Sequence, residues 1–251
     1  MRWFGYIAPV VAEARRLLFS RPALYSALLL LPIAALFTGM GAVTAWGEYH
    51  GADLPDRLLL TEDGSLPERF EYLLTAAAAL AMLFTWARAH QRPYLTLAAL
   101  LGWLTADNAL QLHERGGRAI QPLLEQGGLN ADISKPLSEL VFFILFGVIL
   151  LIAISAAFRS AEGRHRDRPL VMVALIVVTA GFGVALDLFD GLFLDSLSAA
   201  GQIGMFVEDA GELWCFTLMA IASTAILAQT VREEQPRAAA PAPAVRLKLK
   251  A

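Results

Sequence analysis

The chain has 251 residues, 57% hydrophobic and 17% charged, with a mean hydropathy of +0.56. A soluble domain carries about 25% charged residues, so the composition excludes an ordinary water-soluble fold and points to a bilayer. A net charge of −3 leaves no basic surplus for nucleic acid, and a single cysteine, Cys215, excludes an internal disulfide or a multi-thiolate metal site.

Residues 3–18 place Trp3, Ile7, Val10, Val11, Ala14 and Leu18 at helical spacing, with Arg2, Glu13, Arg15 and Arg16 off that stripe. The pattern predicts an amphipathic interfacial helix within an N-terminal segment, 1–21, on the cytoplasmic surface. Six stretches then reach the roughly 20 apolar residues that a bilayer core requires: 22–44, 70–88, 94–113, 137–158, 169–193 and 206–230. The first is too long for a signal-peptide core and follows a charged leader, so it reads as a retained span. The expected fold is all-α, a polytopic bundle of six transmembrane helices occupying 22–231. Two longer loops interrupt it. "GEYHGADLPDRLLLTEDGSLPER" is acidic and punctuated by Pro and Gly, and Arg115–Lys135 carries the turn-rich "QGGLNADISKP". The tail, 232–251, is Ala/Pro-rich with a basic end. It is expected to be disordered and to touch anionic lipid.

Basic residues set the orientation. With a cytoplasmic N-terminus, only five of the 20 Lys and Arg fall outside: Arg57, Arg69, Arg115, Arg118 and Lys135. The positive-inside rule then puts both termini in the cytoplasm, as in a multi-pass protein of a bacterial inner membrane.

On that topology the intramembrane acids share one level, the extracytoplasmic leaflet. Asp107 and Glu114 close the third span, Glu139 opens the fourth, Asp187 and Asp190 close the fifth, and Glu208, Asp209 and Glu212 open the sixth. Asp107, Gln111 and Glu114 stand at i, i+4, i+7 on one helix face, as do Glu208, Glu212 and Cys215. Asp187 and Asp190 are i, i+3, and Gly183 one turn earlier allows close helix approach. His113 lies about 120° from Asp107 on an ideal helix. It joins the cluster only if the helix unwinds there, as Gly116–Gly117 permit.

Some of these residues have plainer explanations. Glu139 and Glu208 fall in first turns, where negative charge complements the helix dipole. Asp209 reads as an end charge, Cys215 as a small buried apolar residue, and Glu48 and His50 as loop residues. Asp107, Asp187, Asp190 and Glu212 resist such readings. An acid in hydrocarbon costs on the order of 3 kcal/mol, and only Arg115, Arg118 and Lys135 are cationic nearby. A bound metal ion balances the excess, with Asp107, His113, Glu114, Glu139, Asp187, Asp190, Glu208 and Glu212 as candidate ligands. Carboxylates with one imidazole suit iron, manganese, magnesium or calcium better than copper(I) or a thiolate zinc site. Within divalent and transition metals, the spacing does not separate iron, manganese, zinc and calcium. His-Glu-x-x-His, Gly-x-Ser-x-Gly and phosphate-loop patterns are absent from the sequence, and no catalytic residue is assigned.

The string "TADNALQLHE" resembles a motif of bacterial multi-spanning membrane proteins of unknown activity. These carry an Asp-Asp or Asp-Glu pair, then His-Glu at the same span end, and Glu-x-x-x-Glu in a later span. The matching residues are Asp107, His113, Glu114, Glu208 and Glu212, with Asn108 departing from the acidic second position. The chain is also distantly similar to the membrane hydrolases that include the alkaline ceramidases, but lacks their several zinc-binding histidines.

Three functions fit. The first is a metal-dependent enzyme acting on a lipid-like or interfacial substrate at the outer leaflet. The second is a proton or cation transporter with the acids as relay, although no span looks broken at the midplane. The third is a non-catalytic subunit or sensor. Expected partners are membrane lipids and a protein engaged through the periplasmic loops.

Overall fold

The structure is a computed structural model that describes residues 4–51, 55, 59–60, 64–186, 188–189 and 198–238. Trp3, Asp187, Asp190 and the tail from residue 239 therefore lie outside the described residues. The described chain is helical: α1 (Phe4–Leu18), α2 (Arg21–Tyr49), α3 (Leu66–Ala89), α4 (Arg92–Leu110), α5 (Leu112–Gln126), α6 (Ala131–Phe158), α7 (Arg164–Ala180), and α8 (Ala199–Ala238). Past Ala180, α7 widens into a π-helical turn over Gly181–Leu186.

Local chemistry sets several boundaries. Ser65 caps α3 by accepting the Glu68 N–H, and α3 stops at His90, whose φ of 53° turns the chain left-handed. Asn130 Oδ1 accepts the Ile133 N–H at 3.0 Å and starts α6, one and a half turns earlier than the apolar run predicts. Because α6 starts at Ala131 and α8 at Ala199, neither Glu139 nor Glu208 lies in a first turn. The dipole explanation for these two acids fails on that ground.

Among the described residues five helices are long and apolar enough to cross a membrane: 21–47, 66–89, 133–158, 164–186 and 199–234. Helix α4 has the length of a span, but Arg92, Pro93, Asp107 and Asn108 dilute its apolarity, and it ends at Leu110 rather than at residue 113. The stretch expected to be a loop after Arg115 is instead mostly helix, α5. Its polar Arg115, Arg118, Gln121 and Glu125 keep it from being a span.

Helix α8 is the hub, packed against α1, α2, α3 and α7. Of its most apolar stretch 61% is buried, against 6% for α6. The core joins Leu213, Phe216, Met219 and Ile226 of α8 to Met82 of α3 and to Leu97 and Leu101 of α4. Helix α6 turns Ile144, Leu145, Val148, Ile149 and Ile152 outward, a surface that suits lipid and not water.

The N-terminal helix forms where expected, with a different buried face. Leu17 and Glu13 are buried, with Val10, Ala14 and Leu18 packed beside them, whereas Ile7 and Val11 are exposed. Glu13 thus belongs to the inward stripe, at i+3 from Val10, because it has a partner there. Arg168 of α7, fully buried, donates from Nε to Glu13 at 2.9 Å. Its other nitrogens reach Glu233 (2.7 and 3.2 Å) and Gln229 Oε1 (3.1 Å) on α8.

Candidate functional site

The break between α4 and α5 builds the first part of the site. Gln111, with φ 49° and ψ 49°, ends one helix and starts the next. A non-glycine residue pays roughly 1–2 kcal/mol for that conformation. Asp107, one turn back and only 2% exposed, offsets it: its Oδ1 accepts the His113 N–H at 2.9 Å, capping α5 from the preceding helix. Its Oδ2 meets His113 Nδ1 at 3.1 Å. The continuous face of Asp107, Gln111 and Glu114 therefore does not exist. The unwinding that brings His113 to Asp107 occurs at Gln111 rather than at the glycines. Gly116 and Gly117 instead let α5 lie close on α6, since a Cβ on Gly116 would overlap the Phe142 ring and one on Gly117 would come within 2.6 Å of Glu139 Cγ. Phe143 stacks on His113, with ring centroids 5.0 Å apart.

Beside this corner lies a cavity of about 390 Å³. Asp107, with Asn108 from α4, and His113 and Glu114 of α5 line one side, and Glu139 of α6 another. Glu208, Asp209 and Glu212 enter from α8, and the π-helical turn contributes Gly183 and Val184. Of the expected ligands, Asp107, His113, Glu114, Glu139, Glu208 and Glu212 thus share one cavity, while Asp187 and Asp190 lie outside the described residues. Cys215 is buried and is not among the lining residues.

Gly183 has a specific role in this wall. Any Cβ there would occupy the space of the Glu212 Oε1, so the close approach that glycine permits is to the Glu212 carboxylate itself. Among the described residues no three His, Cys, Asp or Glu side chains are set closely enough to grip one ion unaided.

Two acids of the cavity escape sequence reading, Glu68 and Glu71 at the start of α3. Glu71 is only 6% exposed and faces the carboxylates of Glu212, Asp209 and Glu68. The available signal is its depth. It lies inside the second apolar stretch, at the end that the expected topology would put in the same leaflet as the other acids. Near a helix start, it passes for a dipole-complementing charge.

His113 lies outside the spans, and its titration has a clear sign. Burial disfavours the imidazolium, but the Asp107 hydrogen bond and the charges of Asp107, Glu139 and Glu114 outweigh it, raising the ring above its ordinary 6.5. A group whose folded pKa is raised contributes stability that is fully present below its unfolded pKa and is lost as pH rises through the folded value. Amide exchange across Leu112–Gln126, corrected for intrinsic rates, is expected to quicken from about pH 6 to about pH 8. His113→Gln should flatten that dependence. Asp107→Ala, which removes cap and ion partner together, should cost about 1–2 kcal/mol of α5 docking. Exchange in Asp107→Ala equal to wild type would contradict the capping role.

No curated protein and no solved structure matches the chain. The family model described as a domain of unknown function, DUF8692, matches residues 71–227. That range begins at Glu71 and takes in every acid of the cavity except Glu68. It covers more than half of the sequence, and the chain therefore belongs to the DUF8692 family.

Proposed function

We propose that this protein is an integral membrane protein that binds a metal cation in the acid-lined cavity, at the outer-leaflet ends of its helices. One observation carries the reading. Among the described residues a single cavity draws carboxylates from α3, α4, α5, α6 and α8 and has only Lys135 and His113 as cationic lining groups, with Arg118 pairing with Glu114 from beside it. Like charges gathered in this way are unfavourable unless protons, water or a cation offset them, and one multivalent cation offsets several at once. Toward the opposite end, Leu97, Leu101, Met172 and Met219 are fully buried. This apolar plug favours a binding site over an open conduit.

In this reading α4 is the sixth span, its polar residues tolerated because they face protein and the cavity. Both termini are cytoplasmic in a bacterial inner membrane, and α1 lies on the inner surface with Ile7 and Val11 toward lipid. A cytoplasm-only fluorescent reporter fused after Lys250 should light up, and a periplasm-active phosphatase there should stay silent. The reverse pattern would overturn the topology and the outer-leaflet placement. For the cation, EDTA-stripped protein in detergent should take up a stoichiometric metal ion in equilibrium dialysis, and should unfold at a higher temperature with it. No uptake of any divalent or transition metal would sink the reading.

A second reading, metal-dependent hydrolysis of a lipid-like substrate, is favoured by the Asp107–His113 pair. An imidazole held by a carboxylate beside a metal is positioned to move a proton.

A further inference from the structure

We infer that Glu71 and Glu212 are the central ligands of the cavity and that they take a hard divalent cation, calcium or magnesium, completed by water. The inference rests on the cation reading above and names its ligand class and its residues.

Glu71 is the independent observation. Its side chain is 94% buried, lines the cavity, and has no hydrogen bond or ion pair among the described residues. A carboxylate in that condition lacks what buried charges ordinarily have, a partner. The groups it faces are themselves acids, Glu212, Asp209 and Glu68, so none of them supplies the positive partner that a cation entering the cavity would.

Glu212 completes the pair. It reaches the same cavity from α8, and Gly183 of the π-helical turn leaves space for its Oε1 where any other residue would put a side chain. Single π-turns of this kind recur at functional sites. Asp107, the residue that sequence spacing puts foremost, is spoken for: it holds the His113 N–H and ring. It shapes the wall and does not lead the binding.

The donor set selects the ion. The other acidic side chains lining the cavity offer oxygens, the one imidazole is tied to Asp107, and the thiol is elsewhere. Oxygen-only surroundings favour hard cations over zinc or copper. At roughly 30 Å³ per water, the cavity has room for about a dozen waters. Magnesium and calcium both keep water among their ligands, and this compensates for the lack of a pre-assembled three-residue grip.

The experiment is calorimetric titration of EDTA-stripped, full-length protein in detergent with calcium, magnesium and zinc chlorides, on wild type and on Glu71→Gln, Glu212→Gln and Asp107→Asn. Calcium or magnesium should bind wild type, and Glu71→Gln and Glu212→Gln should each weaken it by at least about tenfold, a larger loss than Asp107→Asn produces. Thermal unfolding without metal is the folding control: Glu71→Gln should be at least as stable as wild type, since it removes a buried charge without a partner. Wild-type affinity in Glu71→Gln overturns the inference while leaving the cation reading intact. So does binding of zinc to the exclusion of calcium and magnesium. Failure of wild type to bind any of the three overturns the inference, and the cation reading falls with it if the dialysis above shows no uptake of iron or manganese either.

Discussion

Arg168→Ala is expected to be the most destabilising single substitution on the side of the bundle opposite the acids. The guanidinium is fully buried and bonds Glu13 of α1 together with Gln229 and Glu233 of α8. Removing it leaves the Glu13 carboxylate buried without its main counter-charge, since Arg16 stands at 3.6 Å on the exposed side. Breaking a buried pair by deleting one partner costs about 3–5 kcal/mol. The lower end applies here, because Glu233 is one-third exposed and keeps Arg164. Helix α1 should loosen first, seen as faster amide exchange over residues 7–18 and a lower unfolding temperature in detergent. Arg168→Met with Glu13→Gln removes both charges and should recover most of the loss, because the desolvation cost disappears with the pair. An Arg168→Ala protein that unfolds at the wild-type temperature would show that α1 is held by its apolar contacts alone.

That network and the acidic cavity differ in how far the sequence exposes them. The long helices are legible because hydropathy sums over 20 or more residues, so single exceptions do not hide 21–47, 133–158 or 199–234. Convergence of Asp107, Glu139, Glu208 and Glu212 on one cavity is legible too, since topology alone fixes which helix ends share a level. What escapes is decided by one contact at a time. Glu13 reads as a surface charge until Arg168, 155 residues later, is seen to meet it. The break at Gln111 is hidden because nothing in "DNALQLHE" is a glycine or proline. It depends on the Asp107 carboxylate finding the next helix's N-terminus, a tertiary capping contact. Glu71 escapes for the opposite reason: an acid at the very start of an apolar stretch (70–88) has a sufficient local explanation, and only its burial without a partner removes it.

Gly183→Ala should have the largest effect on cation binding of any substitution that leaves every acid of the cavity in place. The added methyl would overlap the Glu212 Oε1, and its carboxyl carbon lies 2.7 Å away. One of the two must move. The methyl is fixed to a helix backbone, whereas Glu212 has rotatable bonds, so the carboxylate is the group displaced. A shift of about 1 Å in a liganding oxygen is large against the roughly 0.2 Å tolerance of metal–ligand distances. The affinity for calcium or magnesium should therefore fall by about tenfold, equivalent to about 1.4 kcal/mol. Stability without metal should change little, because the methyl meets a flexible side-chain end and no backbone. Gly147→Ala serves as the control: a Cβ there has nothing within 4 Å, so binding and unfolding temperature should both match wild type. Gly183→Ala with unaltered affinity would mean that Glu212 can leave the wall of the π-helical turn without consequence. The cation would then be held by Glu71 with Asp209 or Glu68, the other carboxylates it faces.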